Sequence, residues 1–201
     1  SVFSGNSAAT SMATGLLVIL LGKGTKISDR VMGHDKTYEG TLRLGLETDS
    51  QDADGRIVAE KDAAAVTAAQ VEEQFKLRLG DQMQLPPMVS AIKIQGVPLY
   101  KLARKGETVE RPPRPIHAYR FELLDFAPPD VRFRVECTKG TYVRTLAHDV
   151  GQALGVGAHL VALRRTKIGQ IDVAQAPPLA ELLEAPALDG KVIPLAAALP
   201  L

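Results

Sequence analysis

Cysteine is almost absent from this chain of 201 residues, and no apolar run is long. Cys137 is the single cysteine, which excludes an intramolecular disulfide and predicts a small buried side chain in an intracellular protein. The apolar run from Leu16 to Leu21 is much shorter than the roughly 20 residues that span a bilayer, and no basic-then-apolar signal opens the chain. We therefore expect a cytoplasmic protein.

An excess of charge is also lacking. The net charge is only +1, so the composition as a whole gives no indication of a nucleic-acid partner. The histidines show no metal-ligand spacing and no second cysteine accompanies them, so a zinc site is not expected. These histidines are His34, His117, His148 and His159. The hydrophobic content of 45% is enough for a substantial core.

Positive charge is nevertheless concentrated between Pro86 and Pro115. The segment contains six cationic and two acidic side chains, which gives a local charge of +4. The cations are Lys93, Lys101, Arg104, Lys105, Arg111 and Arg114. A basic loop punctuated by prolines either grips a phosphate backbone or is simply solvated, and the composition alone leaves both interpretations open.

The segment from Lys139 to Thr145 combines a cation and a phenol where a strand ends. Apolar and polar residues alternate from Val131 to Thr138, which predicts a half-buried strand with Cys137 on its apolar face. Leucine and valine then recur at helical spacing up to a capping Gly155. Tyr142 and Arg144 are thus expected at a strand-to-helix junction, either as site residues or as a core-edge aromatic and a solvated cation.

The remaining pattern mixes strands with inserted helices and predicts an α+β domain. Strands are expected at Leu16–Leu21, Tyr38–Leu44 and Ile116–Phe126. A helix is expected over Ala68–Leu79, because Thr67 and Gln70 form a capping-box pattern and Gly80 follows its end.

Residues Asp52, Asp54 and Gly55 resemble part of a calcium loop. Ser50 and Lys61, however, occupy the positions of its first and last ligands. A calcium site is therefore not predicted.

Four segments occur in order along the chain and at suitable spacing. They are Ala13-Thr14-Gly15-Leu16-Leu17; Asp35-Lys36-Thr37-Tyr38; the stretch from Pro86 through Lys93 to Gly106; and Lys139 to Thr145, followed by Gly157-Ala158-His159-Leu160 and Leu163-Arg164-Arg165. This ordered set closely resembles the bacterial tRNA pseudouridine-55 synthases, the TruB family, from about Met12 to about Ile168.

The resemblance implies a mixed, mainly antiparallel sheet flanked by helices, and an enzyme that isomerises a uridine of the tRNA T-loop to pseudouridine without metal or cofactor. Tyr38 is then expected to stack on the flipped uracil and to help remove its carbon-bound proton, and Arg144 to pair with the catalytic carboxylate. Tyr142, Leu163 and Lys139 are expected in the substrate pocket. The RNA-gripping insertion matches residues 86–115, with Lys93, Lys101, Arg104, Lys105 and Arg111 as its contacts. A monomer is expected.

One position departs from the family pattern. The family's catalytic aspartate lies three residues before the Ala-Thr-Gly motif, which corresponds to Thr10, and no aspartate or glutamate precedes Asp29. A threonine hydroxyl is not nucleophilic at neutral pH without a base. We therefore expect Arg144 to lack its carboxylate. The chain is then either a synthase whose opening segment is misreported or an inactive relative that binds tRNA.

The domain organisation follows from the same resemblance. Residues 1–174 are expected to form the catalytic domain, shortened at its N-terminus, and residues 175–201 to form an extension that leads toward a small domain outside this chain.

Overall fold

A seven-stranded sheet forms the centre of the computed structural model, which describes residues 13–90, 93–94, 97–98, 109–184, 187 and 190–194. The strand order is β1-β10-β2-β9-β8-β5, and β11 pairs with β10. Only β1 runs parallel to its neighbour, β10, and the other pairs are antiparallel. The prediction of an α+β fold with a mainly antiparallel sheet is confirmed. The strands of this sheet are β1 (Ala13–Gly15), β2 (Lys36–Leu44), β5 (Gly80–Gln84), β8 (Arg114–Ala127), β9 (Asp130–Cys137), β10 (Ala158–Ile168) and β11 (Ile171–Asp172).

Short elements complete the described fold. Two small antiparallel pairs join β3 to β4 and β6 to β7. Their bounds are Leu46–Thr48, Ile57–Glu60, Lys93–Ile94 and Val97–Pro98. The α-helices are α1 (Ser28–Gly33), α2 (Ala68–Lys76), α3 (Val143–Ala153) and α4 (Leu179–Glu184), and 3-10 turns span Gly22–Ile27 and Val173–Gln175. Among the residues with a described position, no helix is long and apolar enough to cross a membrane.

The main core lies between one face of the sheet and helices α2 and α3. Strand β9 shows how it forms: Val131, Phe133, Val135 and Cys137 are fully buried, whereas Arg132 between them is exposed. Burial also raises the pKa of the Cys137 thiol to about 11, so the side chain is a neutral hydrophobe at physiological pH. The alternation therefore predicted both the strand and its buried face.

Helix α3 lies directly against strand β10 because residue 151 has no side chain. A Cβ on Gly151 would stand only 2.1 Å from the backbone nitrogen of Ala158. That distance is far inside van der Waals contact, so any other residue would push α3 away from the sheet. The close approach of α3 to β10 therefore fixes the position of the first turn of α3, which contains Arg144.

Two predicted elements differ from the structure. Residues Leu16–Leu21 form no strand: the extended pairing is confined to β1 before them, and Leu17, Ile19 and Leu21 are exposed. A short apolar run fits several conformations, and here the chain leaves the sheet edge. Helix α2 ends at Lys76, three residues earlier than predicted, because Gly80 begins β5 and the chain must turn before it. Leu79 is consequently 42% exposed.

Helix α2 begins with the capping box that the sequence predicts. The Thr67 hydroxyl accepts a hydrogen bond from the Gln70 backbone N–H at 3.3 Å, and the Gln70 side chain accepts one from the Thr67 N–H at 2.9 Å. Replacing Thr67 with alanine removes the cap, so we expect the free energy of unfolding in urea to fall by about 1 kcal/mol. Thr67→Ser keeps the hydroxyl and is the control. Equal stability of the two variants would contradict the capping role.

Candidate active site at the strand-to-helix junction

The predicted junction is present, and its geometry is set by one turn. Strand β9 ends at Cys137, and Lys139 and Gly140 turn the chain, with Gly140 at a φ of +83° that favours glycine. The Thr141 hydroxyl donates to the Thr138 carbonyl at 2.9 Å and closes this turn. Tyr142 then occupies the N-cap position of α3.

Arg144, in the first turn of α3, is buried and paired with a buried carboxylate. Its Nη1 donates to Oδ2 of Asp52 at 2.7 Å, and its Nη2 donates to the Val89 carbonyl at 2.6 Å. Arg144 is 6% exposed and Asp52 is 2% exposed. The expectation that Arg144 lacks a carboxylate partner is therefore wrong, since Asp52 supplies one from a distant loop.

The loop that carries Asp52 is tightly hydrogen-bonded. The other carboxylate oxygen of Asp52 accepts from the Ser50 hydroxyl at 2.5 Å and from the Asp54 N–H at 3.2 Å. Gln51 has a φ of +66°, unusual for a residue with a side chain, and its amide oxygen accepts from the Thr145 hydroxyl at 2.7 Å. The loop is thus attached to α3 both at Arg144 and at the next residue.

These contacts indicate different roles for the two partners. Both oxygens of Asp52 already accept hydrogen bonds, so this carboxylate is an anchor and a poor nucleophile. A guanidinium has five N–H donors, and within the described residues two of those of Arg144 are used, by Asp52 and Val89. The other three make no hydrogen bond to a described residue.

Tyr38 and Leu163 lie on neighbouring strands, on the face of the sheet that carries the core. Tyr38 in β2 is opposite Arg165 in β10, and Leu163 is opposite Gly40, so the two side chains are diagonal neighbours about 7 Å apart. Both pack against the main core cluster. Tyr142 is close to Arg144, whose guanidinium carbon lies 6.0 Å from the centre of the Tyr142 ring.

The ionisation of Tyr38 limits what its phenol can do. Burial raises the pKa of Tyr38 above its usual value, and the charge and hydrogen bond of Arg165 oppose that shift without cancelling it. The phenol is therefore neutral at physiological pH. A neutral phenol can stack on a base and donate a hydrogen bond, but it can accept a proton as a base only after losing its own.

The cationic site residues are described only in part. Lys139 is exposed in the turn before α3. Arg111 is partly buried, its Nε has no hydrogen-bond partner among the described residues, and burial lowers the pKa of its guanidinium. Lys93 lies in β6, whose backbone alone is described, and Lys101, Arg104 and Lys105 fall outside the described residues. The RNA-gripping role of residues 86–115 remains a prediction.

Asp52 is the functional residue that the sequence did not reveal. It lies in the segment that resembles a calcium loop, and the structure uses its carboxylate for an arginine 92 residues away. In the described part of the chain, no group of three or more histidine, cysteine, aspartate or glutamate side chains could hold a metal ion. A buried arginine needs a buried acid, so a partner for Arg144 could be expected, but the sequence does not indicate which acid it is.

Comparison with known proteins identifies the family. Residues 10–143 match the N-terminal domain of the TruB family pseudouridylate synthases, and residues 144–199 match the C-terminal domain of tRNA pseudouridylate synthase B. The chain belongs to the TruB family. It is 52% identical over 191 residues to tRNA pseudouridine synthase B of Opitutus terrae, covering 94% of this chain and 79% of that protein.

Other TruB relatives are longer. The Hydrogenovibrio crunogenus protein is 52% identical over 79% of this chain and 52% of its own length, and the Francisella philomiragia protein is 48% identical over 82% and 55%. The chain therefore spans about half of these two relatives. A Cbf5-Nop10-Gar1 complex contains a similar chain, with a TM-score of 0.64 and 26% identity over 92% of this chain and 46% of that one. An H/ACA RNP shares the fold, with a TM-score of 0.57 and 22% identity over 87% of this chain and 42% of that one.

The buried pair predicts a large and specific loss of stability. In Asp52→Asn, Arg144 keeps its charge but loses the carboxylate, so we expect the free energy of unfolding to fall by about 3 to 5 kcal/mol. Asp130→Asn is the matched control, because the Arg43–Asp130 pair has the same 2.7 Å contact but is about two-fifths exposed, and should cost at most about 1 kcal/mol. Urea unfolding measures both changes. Similar losses in the two variants would contradict a special role for the buried pair.

Proposed function

We propose that this TruB-family chain isomerises a uridine in the T-loop of tRNA, at position 55, to pseudouridine. The bond between N1 of the base and C1′ of ribose breaks, the base turns, and a bond forms between C5 and C1′. The proton on C5 leaves and N1 gains one, so the reaction is balanced without a redox partner or cofactor. The observation that carries this proposal is the buried Arg144, which bonds Asp52 and Val89 and has three N–H donors without a partner among the described residues.

A flipped uracil matches the chemistry of the side chains at the site. Extruding a base costs a few kcal/mol, and stacking on an aromatic ring returns about 1 to 3 kcal/mol. We assign that stacking to the neutral phenol of Tyr38. Tyr142 and Leu163 supply further wall area, and the exposed ammonium of Lys139 is placed to attract the RNA backbone.

Arg144 stabilises a carboxylate that the proposed reaction needs. Its N–H donors that have no partner among the described residues suit a second acid. The TruB family pattern has that acid at position 10, which lies before the described residues. Asp52 does not replace it, because its oxygens are already bonded. The proposed reaction therefore depends on what residue 10 provides.

In this proposal the basic insertion at residues 86–115 grips the RNA, with Lys93 and Arg111 among its contacts. The face of the sheet that points away from the main core carries paired charges of both signs, as in Arg43–Asp130 and Arg134–Glu39, and is less suited to a polyanion. We propose that residues 1–174 form the catalytic unit, that 175–201 lead to a further domain, and that the protein acts as a cytoplasmic monomer.

The first test restores the carboxylate. Thr10→Asp supplies an acid at the position where the family pattern has its catalytic aspartate, so we expect this variant to form pseudouridine in a T-arm stem-loop, with release of tritium from C5-labelled uridine as the measurement. The unchanged chain is assayed in parallel, and equal product from it would show that the acid comes from elsewhere. If both proteins bind the stem-loop and neither forms pseudouridine, the proposed function is wrong.

A second test concerns the RNA grip. Replacing Lys101, Arg104 and Lys105 together with glutamine removes three phosphate contacts, so we expect weaker binding of the T-arm stem-loop and a log–log salt slope that is shallower by about two to three units. Binding is measured by fluorescence anisotropy from 50 to 200 mM salt, a range typical of such measurements.

The matched control for the grip replaces Arg120, Arg132 and Arg164. These three arginines are exposed and lie, by strand register, on the face of the sheet that points away from the main core. Their loss removes the same number of charges and should leave the slope nearly unchanged. A slope that falls equally in both triple variants would contradict a localised grip.

A further inference from the structure

The side chain of Gln84 makes two hydrogen bonds to the backbone of one residue. Its amide oxygen accepts from the Tyr142 N–H at 2.8 Å, and its amide nitrogen donates to the Tyr142 carbonyl at 3.1 Å. Gln84 is 4% exposed and ends strand β5, 58 residues before Tyr142. An amide carries a donor and an acceptor side by side, as a peptide unit does, so the match to the Tyr142 backbone is specific.

The junction needs this support because its own sequence does not supply it. Tyr142 is the N-cap of α3 and has extended backbone angles, but its side chain makes no capping hydrogen bond. Serine, threonine, asparagine and aspartate are the usual N-cap residues, and tyrosine is not among them. Gln84 therefore contributes from another strand the polar contacts that hold the start of the helix.

The same segment contacts the junction a second time. Five residues after Gln84, the Val89 carbonyl accepts from Nη2 of Arg144 at 2.6 Å. Residues 84–89 thus run beside residues 142–144 and are joined to them at both ends. One contact fixes the backbone that carries the Tyr142 ring, and the other fixes the guanidinium.

We propose that Gln84 is a positioning residue that holds Tyr142, and through it Arg144, in the orientation needed to act on the bound uridine. This inference rests on the proposed function for its effect on turnover. Gln84 touches neither the base nor the reacting atoms. Its loss lets the first turn of α3 shift, and a shift of about 1 Å at a site of this kind costs about 100-fold in rate.

The test exploits the similarity between an amide and a protonated acid. In Gln84→Glu, the ionised carboxylate keeps an acceptor for the Tyr142 N–H but repels the Tyr142 carbonyl. When protonated, it regains a donor and restores both hydrogen bonds. Gln84→Met has a similar size and can form neither bond.

Charged neighbours affect where the new acid titrates. Arg144 lies two residues beyond Tyr142, and Arg114 is opposite Gln84 in the register of β8, so both favour the ionised form, whereas burial favours the protonated one. The titration is therefore read from the variant's own profile. Gln82→Glu is the control, because Gln82 lies two residues earlier on the same strand and contacts the Arg78 carbonyl instead of Tyr142.

Activity is measured on the full chain in the Thr10→Asp background, from pH 5 to 8, as a ratio to the same background with Gln84 intact. We expect kcat of Gln84→Glu to be about 100-fold low at high pH and to recover as pH falls, with KM for the stem-loop changed little. Gln84→Met is expected to be low at every pH, and Gln82→Glu to be unaffected. A Gln84→Glu ratio that does not vary with pH, or a loss that falls on KM alone, would overturn the proposal.

Hydrogen exchange of the Tyr142 amide separates this proposal from the proposed function, because it needs no catalysis. We expect slow exchange with Gln84, fast exchange in Gln84→Met, and protection in Gln84→Glu only at low pH. If the amide exchanges equally in all three proteins, the Gln84 side chain does not hold Tyr142 and the inference is wrong. If the exchange pattern is as expected but the Thr10→Asp protein forms no pseudouridine, the positioning role of Gln84 stands and the proposed function fails.

Discussion

The buried ion pair between Arg144 and Asp52 is the constraint on which the site depends. A charge at this depth is tolerated only with a hydrogen-bonded partner, so helix α3, the loop at Asp52 and the segment at Val89 must meet at one point. Gly151 lets helix α3 approach the sheet, and the left-handed backbone conformation of Gln51 turns the loop toward the helix. Beyond Asp52 and Val89, the guanidinium has no hydrogen-bond partner among the described residues.

Hydrogen bonding distinguishes a carboxylate that anchors an arginine from one that reacts with substrate. A carboxylate that accepts hydrogen bonds on both oxygens, as Asp52 does, is held in place, and this reduces its reactivity. A reactive acid needs a free oxygen aimed at its target. In the proposed reaction that acid is a second carboxylate beside Arg144, and the neutral Tyr38 phenol is suited to stacking.

Local pattern predicted what depends on neighbours in sequence. The alternation in β9, the burial of Cys137, the Thr67–Gln70 capping box and the cap at Gly155 are all in place, because each depends on residues a few positions apart. The strand alternation and the helical spacing after it predicted the junction, and the ordered motifs predicted the family. The strand expected at Leu16–Leu21 was wrong because an apolar run does not specify its conformation.

Long-range pairing could not be predicted. Nothing in the sequence distinguishes Asp52 from the other acids as the partner of an arginine 92 residues away, or Gln84 from other glutamines. A double-mutant cycle on Asp52 and Arg144, measured by urea unfolding, tests whether this pair organises the site. We expect a coupling free energy of about 2 to 3 kcal/mol, toward the upper end for residues in contact. A coupling near zero would show that the pair does not organise the site.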